Sequence, residues 1–190
     1  ETQADYVCQG EGFYTIMNTV ASLREGGKPD SGYIHGLWTW WGEEEYRIPQ
    51  CPHPSSCLSG NLIPMPAWDL LPMTRYRAHN WHCLDRLDKR TPYGVVATGL
   101  GCPFDCFYCN IHTMYGQRSI RVRPIFDIMQ ELDQMAAYGI KNIKIWDEMF
   151  ALNERRVVAL CDEIRRRDYG FNIWAYGRAN TVTPRMIEVM

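Results

Sequence analysis

Three cysteines, Cys102, Cys106 and Cys109, fall in the run Gly99-Leu-Gly-Cys-Pro-Phe-Asp-Cys-Phe-Tyr-Cys-Asn110, spaced C-x3-C-x2-C. Three thiolates on so short a loop can hold three corners of an iron–sulfur cube and leave the fourth iron open. An electron carrier normally closes its cluster with a fourth cysteine. An open metal position is where substrate or cofactor binds, by the logic that separates catalytic from structural zinc sites. The spacing therefore predicts chemistry at a cluster rather than electron storage. Zinc stays open as an alternative on the residues alone, with His112 available as a fourth ligand, although zinc sites more often pair two C-x2-C units.

The elements around this loop are regular. Residues 94–98 (Gly-Val-Val-Ala-Thr) read as a short buried strand, and the cysteine loop follows its C-terminal end. Pro124 opens a helix with apolar residues at 125, 128, 129, 132, 135 and 136, closed by Gly139. Residues 140–146 form a second strand that runs into Asp147-Glu148. Asn153 then caps a helix with apolar positions 157, 160, 161 and 164, three arginines in its last turn and Gly170 beyond. Residues 171–176 make a third strand ending near Arg178 and Asn180, and Thr183-Pro184 starts a third helix. Three consecutive βα units with buried strands predict an α/β protein whose parallel sheet carries helices outside. Polar residues gather at the C-terminal ends of all three strands, the edge where barrels and open α/β sheets both place active sites.

The upstream part is less regular. Residues 4–9 read as a strand, Gly10-Glu11-Gly12 as a turn, and Phe13, Ile16, Met17, Val20 and Leu23 as the apolar face of a helix closed by Gly26-Gly27. Residues 33–41 and 45–48 flank Trp41-Gly42 and predict a β-hairpin. Prolines at 49, 52, 54, 64, 66, 72 and 92 then break any long element. This stretch reads as a proline-rich linker docked through Trp68, Leu70, Leu71, Tyr76 and Trp81, too aromatic for a free tether. Cys51 and Cys57 bracket His53, with His82-Cys83 further on; the spacing is a weak metal signal, and free thiols are expected. Cys8 and Cys161 are expected in the core. The predicted division is 1–27, 28–91 and 92–190.

Composition limits the function classes. In 190 residues, 46% hydrophobic and 22% charged content supports a packed core rather than disorder. Net charge is −2 and the basic residues form no stripe, which argues against a nucleic-acid surface. No apolar run reaches the roughly 18 residues of a membrane span, so a cytoplasmic location is expected. Eight cysteines in a chain of this size and core content read as reduced thiols rather than a disulfide scaffold. A first residue Glu1 and a last residue, Met190, inside a helical pattern suggest part of a longer protein.

The run from Thr98 to Cys109, with Tyr108 before the third cysteine, resembles the signature of the radical S-adenosylmethionine (SAM) superfamily. The resemblance extends through Ile145-Trp-Asp-Glu-Met-Phe150 and Gly177-Arg-Ala-Asn180, and covers residues 92–190. It implies the first half of a partial (β/α)6 TIM-like barrel and a [4Fe–4S] cluster on Cys102, Cys106 and Cys109. The open iron would bind SAM, whose reductive cleavage yields a 5′-deoxyadenosyl radical. It further implies SAM contacts from Asp147 and Glu148 to the amino group, Arg178 and Asn180 near the carboxylate, and Tyr108 near the adenine. Glu148 stands where the pattern has a second aspartate. Residues 4–15, with Gly10, Glu11 and Gly12, resemble the closing strand and turn of a cobalamin-binding Rossmann-like domain, and residues 64–72 the linker that follows it. That subclass implies cobalamin as a further cofactor, a small-molecule substrate, a reducing partner such as flavodoxin or ferredoxin, and methylation of an unactivated carbon. Radical rearrangement or cyclisation, a methylthiotransferase acting on tRNA or ribosomal protein, and a non-catalytic zinc or iron–sulfur module are the alternatives.

Overall fold

A computed structural model describes residues 4–40, 46–47, 59–84 and 87–190. Cys51, His53, Cys57 and the Trp41-Gly42 turn lie outside the described residues. The chain divides into two compact units, one of residues 1–58 and 103–119, the other of residues 59–102 and 120–190.

In the first unit, β1 (Tyr6–Cys8) and β2 (Leu37–Trp40) pair antiparallel, with Val7 opposite Trp38. Strand β2 also pairs antiparallel with β3 (Tyr46–Arg47). Gly10, at φ 84°, turns the chain from β1 into α1 (Gly12–Arg24); only glycine enters that left-handed region without steric cost. Helix α1 buries Thr15 and Thr19, not its apolar stripe. The Thr15 hydroxyl donates to the His35 carbonyl at 2.8 Å, and Thr19 to the Thr15 carbonyl at 2.7 Å. Ile16 and Met17 are each 65% exposed. The expected inward face is thus reversed within this unit, because hydroxyls satisfied by backbone carbonyls take the packed side. Cys8, expected in the core, is exposed. A short helix, α2 (Ile111–Tyr115), belongs to the same unit.

The second unit is built on β4 (Tyr93–Val96), β7 (Asn142–Ile145) and β8 (Asn172–Trp174), three parallel strands in that order. A two-stranded antiparallel ladder joins β5 (Gly99–Leu100) to β6 (Arg121–Val122). Helices α3 (Ile125–Ala137), α4 (Glu154–Arg167) and α5 (Pro184–Val189) complete it. Side chains alternate across a strand, so Gly94, Val96, Ile143 and Ile173 share one face of the sheet. That face packs on Ile128, Met129, Leu132 and Met135 of α3 and Leu160 of α4. A Cβ on Gly94 would lie 2.8 Å from Met135 Sδ, which fixes how closely α3 approaches. The helix starts follow the expected chemistry: Asn153 Oδ1 accepts from the Arg156 amide at 3.1 Å, and Thr183 Oγ1 from the Met186 amide at 3.2 Å.

Among its described residues the proline-rich stretch forms five single-turn 3-10 elements. Trp68 docks as expected, donating its indole N–H to Glu131 Oε1 at 2.9 Å. Leu70, Leu71, Tyr76 and Trp81 are exposed, and Met73, Ala78 and Cys83 are buried in their place. One 3-10 turn offers a single inward direction, and the more compact side chains occupy it. A Cβ on Gly60 would collide with the Val122 backbone, so the start of this stretch lies directly on β6.

Candidate functional site

The cysteine loop leaves the sheet through residues 97–101, and charged side chains brace several polar backbone groups there. The Ala97 carbonyl accepts from Arg123 Nη1 at 2.7 Å. The Thr98 carbonyl accepts from the Arg123 amide at 2.9 Å and from Arg156 Nη2 at 3.0 Å. The Thr98 amide donates to Asp147 Oδ1 at 2.6 Å, and its hydroxyl donates to Asp147 Oδ2. The Gly101 amide, next to Cys102, donates to Glu148 Oε2 at 3.2 Å. Arg123 in turn pairs with Glu131 at 2.6 Å, the two side chains 2% and 0% exposed. Charges so deeply buried persist only when paired and hydrogen-bonded, so these braces hold one geometry.

Electrostatics follow from that burial. Desolvation pushes the Asp147 pKa up, and its hydrogen bonds from Thr98 oppose the shift. Burial lowers the Arg156 pKa, and the nearby Asp147 charge raises it. Asp147 is 2% exposed and turns both oxygens to Thr98; Glu148 is half-buried and turned to Gly101. A cavity of about 270 Å³ opens beside them, lined by Thr98, Val122, Asp147, Phe150, Asn153 and Arg156 among others. At the end of β8, Arg178 Nε donates to Asn180 Oδ1 at 3.1 Å, and the Arg178 carbonyl accepts from the Thr181 amide at 3.0 Å.

Cys106, Tyr108 and Cys109 belong to the first unit, Cys102 to the second. The Cys109 amide donates to the Cys106 carbonyl at 3.0 Å, closing a turn between the two thiols. His112 sets Nε2 2.7 Å from the Phe104 carbonyl and Nδ1 3.3 Å from that of Gln117, so the imidazole that a zinc site would need is turned to backbone. Tyr108 is exposed and meets Phe107 edge-on at 5.2 Å. None of the three cysteines is in a disulfide. Among the described residues no three His, Cys, Asp or Glu side chains converge as a metal group. The donor set, three thiols on one eight-residue span, fits an iron–sulfur cluster by type and number. In the first unit Glu11 is buried between Gly10 and Gly12, and a Cβ on Gly12 would stand 3.7 Å from Cys8 Sγ.

Sequence reasoning did not single out Thr98, Arg123, Glu131 or Arg156. Their signal was present for two of them: Glu131 adjoins Leu132 on the buried side of α3, and Arg123 precedes the proline that opens it.

No family model matches the chain. Over 97% of its length the chain superposes on TsrM from Kitasatospora setae, a radical SAM methyltransferase solved with cobalamin and a [4Fe–4S] cluster bound. The TM-score is 0.66 at 20% identity, and 35% of TsrM is covered. OxsB, a cobalamin-dependent SAM radical enzyme solved with aqua-cobalamin and SAM bound, superposes over the same 97% with a TM-score of 0.67 at 17% identity, covering 25% of that protein. Over the matched part, about a third or less of their lengths, TsrM and OxsB share this chain's fold. Among curated relatives, an uncharacterized methyltransferase of Pyrococcus horikoshii is 29% identical over 187 residues, 98% of this chain and 37% of its own length. The hopanoid C-2 methylase of Rhodopseudomonas palustris is 28% identical over 139 residues, 70% of this chain and 23% of its own. The chain thus spans about a third or less of these radical SAM neighbours and methyltransferase relatives, all of them enzymes. No helix among the described residues is long and apolar enough to cross a membrane.

Proposed function

We propose that the chain is the part of a cobalamin-dependent radical SAM methyltransferase that holds the [4Fe–4S] cluster on Cys102, Cys106 and Cys109. The observation that carries this reading is the C-x3-C-x2-C loop rooted, through Thr98 and Gly101, at the C-terminal edge of a parallel sheet. When bound, the cluster supplies the electron for reductive cleavage of SAM, and cobalamin supplies methyl-carrying chemistry for an unactivated carbon of a small molecule. The residues of this chain orient those groups. The braces from Asp147, Glu148, Arg123 and Arg156 fix the path of the backbone into Cys102, and so the direction from which the first thiolate reaches iron. Arg178, held by Asn180, offers a guanidinium whose planar fork suits the two oxygens of the SAM carboxylate. The exposed Tyr108 ring offers an apolar face for the adenine. Residues 10–12 offer a close backbone approach for the corrinoid. The three parallel strands are the first half of a partial barrel in this reading, and a flavodoxin or ferredoxin delivers the electron.

The test uses the full-length protein reconstituted anaerobically. A [4Fe–4S] spectrum whose EPR signal changes on adding SAM, with formation of 5′-deoxyadenosine, supports the reading. Cys106→Ala should lower SAM cleavage by more than about 100-fold. Zinc occupancy without iron, or undiminished cleavage in that variant, would sink it.

A further inference from the structure

The two faces of the sheet in the second unit differ sharply. The face toward α3 and α4 is aliphatic. The opposite face carries Tyr93, Asn142 and Asn172 in one row and Val95, Lys144 and Trp174 in the next. The first row is sealed from below by the 3-10 segments. Asn172 Nδ2 donates to Asn142 Oδ1 at 2.9 Å, and Asn142 Nδ2 donates to the Lys89 carbonyl at 2.6 Å. His82 packs at 4.6 Å against Trp174, and its Nδ1 lies 3.0 Å from the Tyr93 hydroxyl.

The second row holds one cation. Lys144 Nζ stands 5.4 Å from the Trp174 ring centroid and 5.2 Å from that of Tyr176, and the two rings meet edge-on at 4.4 Å. Among the described residues Lys144 has no carboxylate at ion-pair distance. The two acids that follow its strand, Asp147 and Glu148, are turned to Thr98 and Gly101. His82 adds no competing charge: burial, then the Lys144 and His79 charges, lower its pKa. Tyr93 is held protonated, pushed up to about 12 chiefly by burial. Lys144, Trp174 and Tyr176 thus bring together one ammonium, one phenol, one indole N–H and two aromatic rings, with no carboxylate at ion-pair distance among the described residues. Aromatic rings satisfy an ammonium only in part, which leaves it able to take an anion.

We propose that Lys144, Trp174 and Tyr176 form the subsite for the carboxylate of a small substrate whose apolar body lies along the two rings. This names a substrate class for the reading above and rests on it. A single ammonium matches a monoanion, and a charge-assisted hydrogen bond to carboxylate, flanked by the Tyr176 and Trp174 donors, supplies orientation as well as affinity.

The test measures binding of two probes of equal shape, cyclohexanecarboxylate and cyclohexanecarboxamide, to the anaerobically purified full-length protein by ligand-observed NMR titration. The carboxylate should bind at least tenfold more tightly than the amide. Lys144→Met should remove that preference while leaving the amide within about twofold, and Lys144→Arg should keep it. Tyr176→Phe, which alters no charge, should reduce the preference about threefold and guards against a misfolded methionine variant. Equal affinity for the two probes, no saturation by either because another segment of the polypeptide covers the face, or a preference that survives Lys144→Met overturns the proposal. SAM cleavage by the wild-type protein scores the underlying reading separately. Its absence with the carboxylate preference intact would remove the reaction and leave an anion subsite.

Discussion

The two ends of the cysteine loop are held by different physics. The root, residues 97–102, is fixed by buried and partly buried ionic groups drawn from Arg123 just after β6, from α3, from α4 and from the residues that follow β7. The links of the tip, residues 103–119, include turn bonds at Cys109 and Thr113, the short helix α2 with its buried Tyr115, His112 between two carbonyls, and an Arg118–Asp105 pair with both side chains 60% exposed. Buried pairs permit one arrangement, because breaking them leaves a charge stranded. An exposed pair contributes little and tolerates many arrangements. The first thiol is therefore placed by the sheet; in the function proposed above, the second and third would take their final positions on binding the cluster, since metal binding and local folding are coupled.

That contrast can be broken at several points. The largest effect should come from Glu131→Ala, which strands Arg123: a loss of about 3–5 kcal/mol in chemical unfolding, with most of it recovered in an Arg123→Met, Glu131→Leu double variant. A single-variant loss under about 1 kcal/mol would show that the root is not the rigid half. Next, Thr98→Val removes a hydroxyl from the buried Asp147 carboxylate and should cost about 1–3 kcal/mol, visible in the same measurement.

Asp147 makes a pH prediction. Its folded pKa lies above the ordinary 3.8, because burial outweighs the Thr98 hydrogen bonds. Between 3.8 and the raised value, the folded protein holds a proton that the unfolded chain has released. The Asp147 contribution to stability therefore falls as pH rises through that window and is flat above it. Asp147→Asn should flatten that limb of a melting-temperature profile; an unchanged slope would assign the titration elsewhere. The smallest effect belongs to the tip, where Arg118→Ala should change stability by less than about 0.5 kcal/mol. A larger loss by thermal unfolding would erase the difference between root and tip.

The regular elements of the second unit were legible because their signals are local. Period-3.6 apolar positions marked α3 and α4, Asn153 and Thr183 marked helix starts, and compact apolar runs marked β4, β7 and β8. The ladder of β5 and β6 was not legible, since strands of two residues show no alternation and their partners lie over twenty residues apart. The same distance hid the braces: Arg156 reaches Thr98 across 58 positions, and Asp147 reaches it across 49. Of the site, the three cysteines were named from spacing alone, and the acids after β7 from their place at a strand end. What those acids touch could come only from the folded chain. Helix α1 misled for another reason: periodicity identifies an apolar face but not whether its own unit covers it.

The order of the parallel sheet sets how it can grow. Strands β4, β7 and β8 lie side by side in chain order, so each βα unit can dock on its predecessor as it leaves the ribosome, with no earlier strand waiting for a later one to be inserted. Register partners nonetheless lie 49 residues apart between β4 and β7 and 30 apart between β7 and β8, and parallel pairing over such spans is slow. Each newly added strand is, for that interval, an open template for pairing. A pause in synthesis just after any of these strands would therefore leave an unpaired edge open to aggregation.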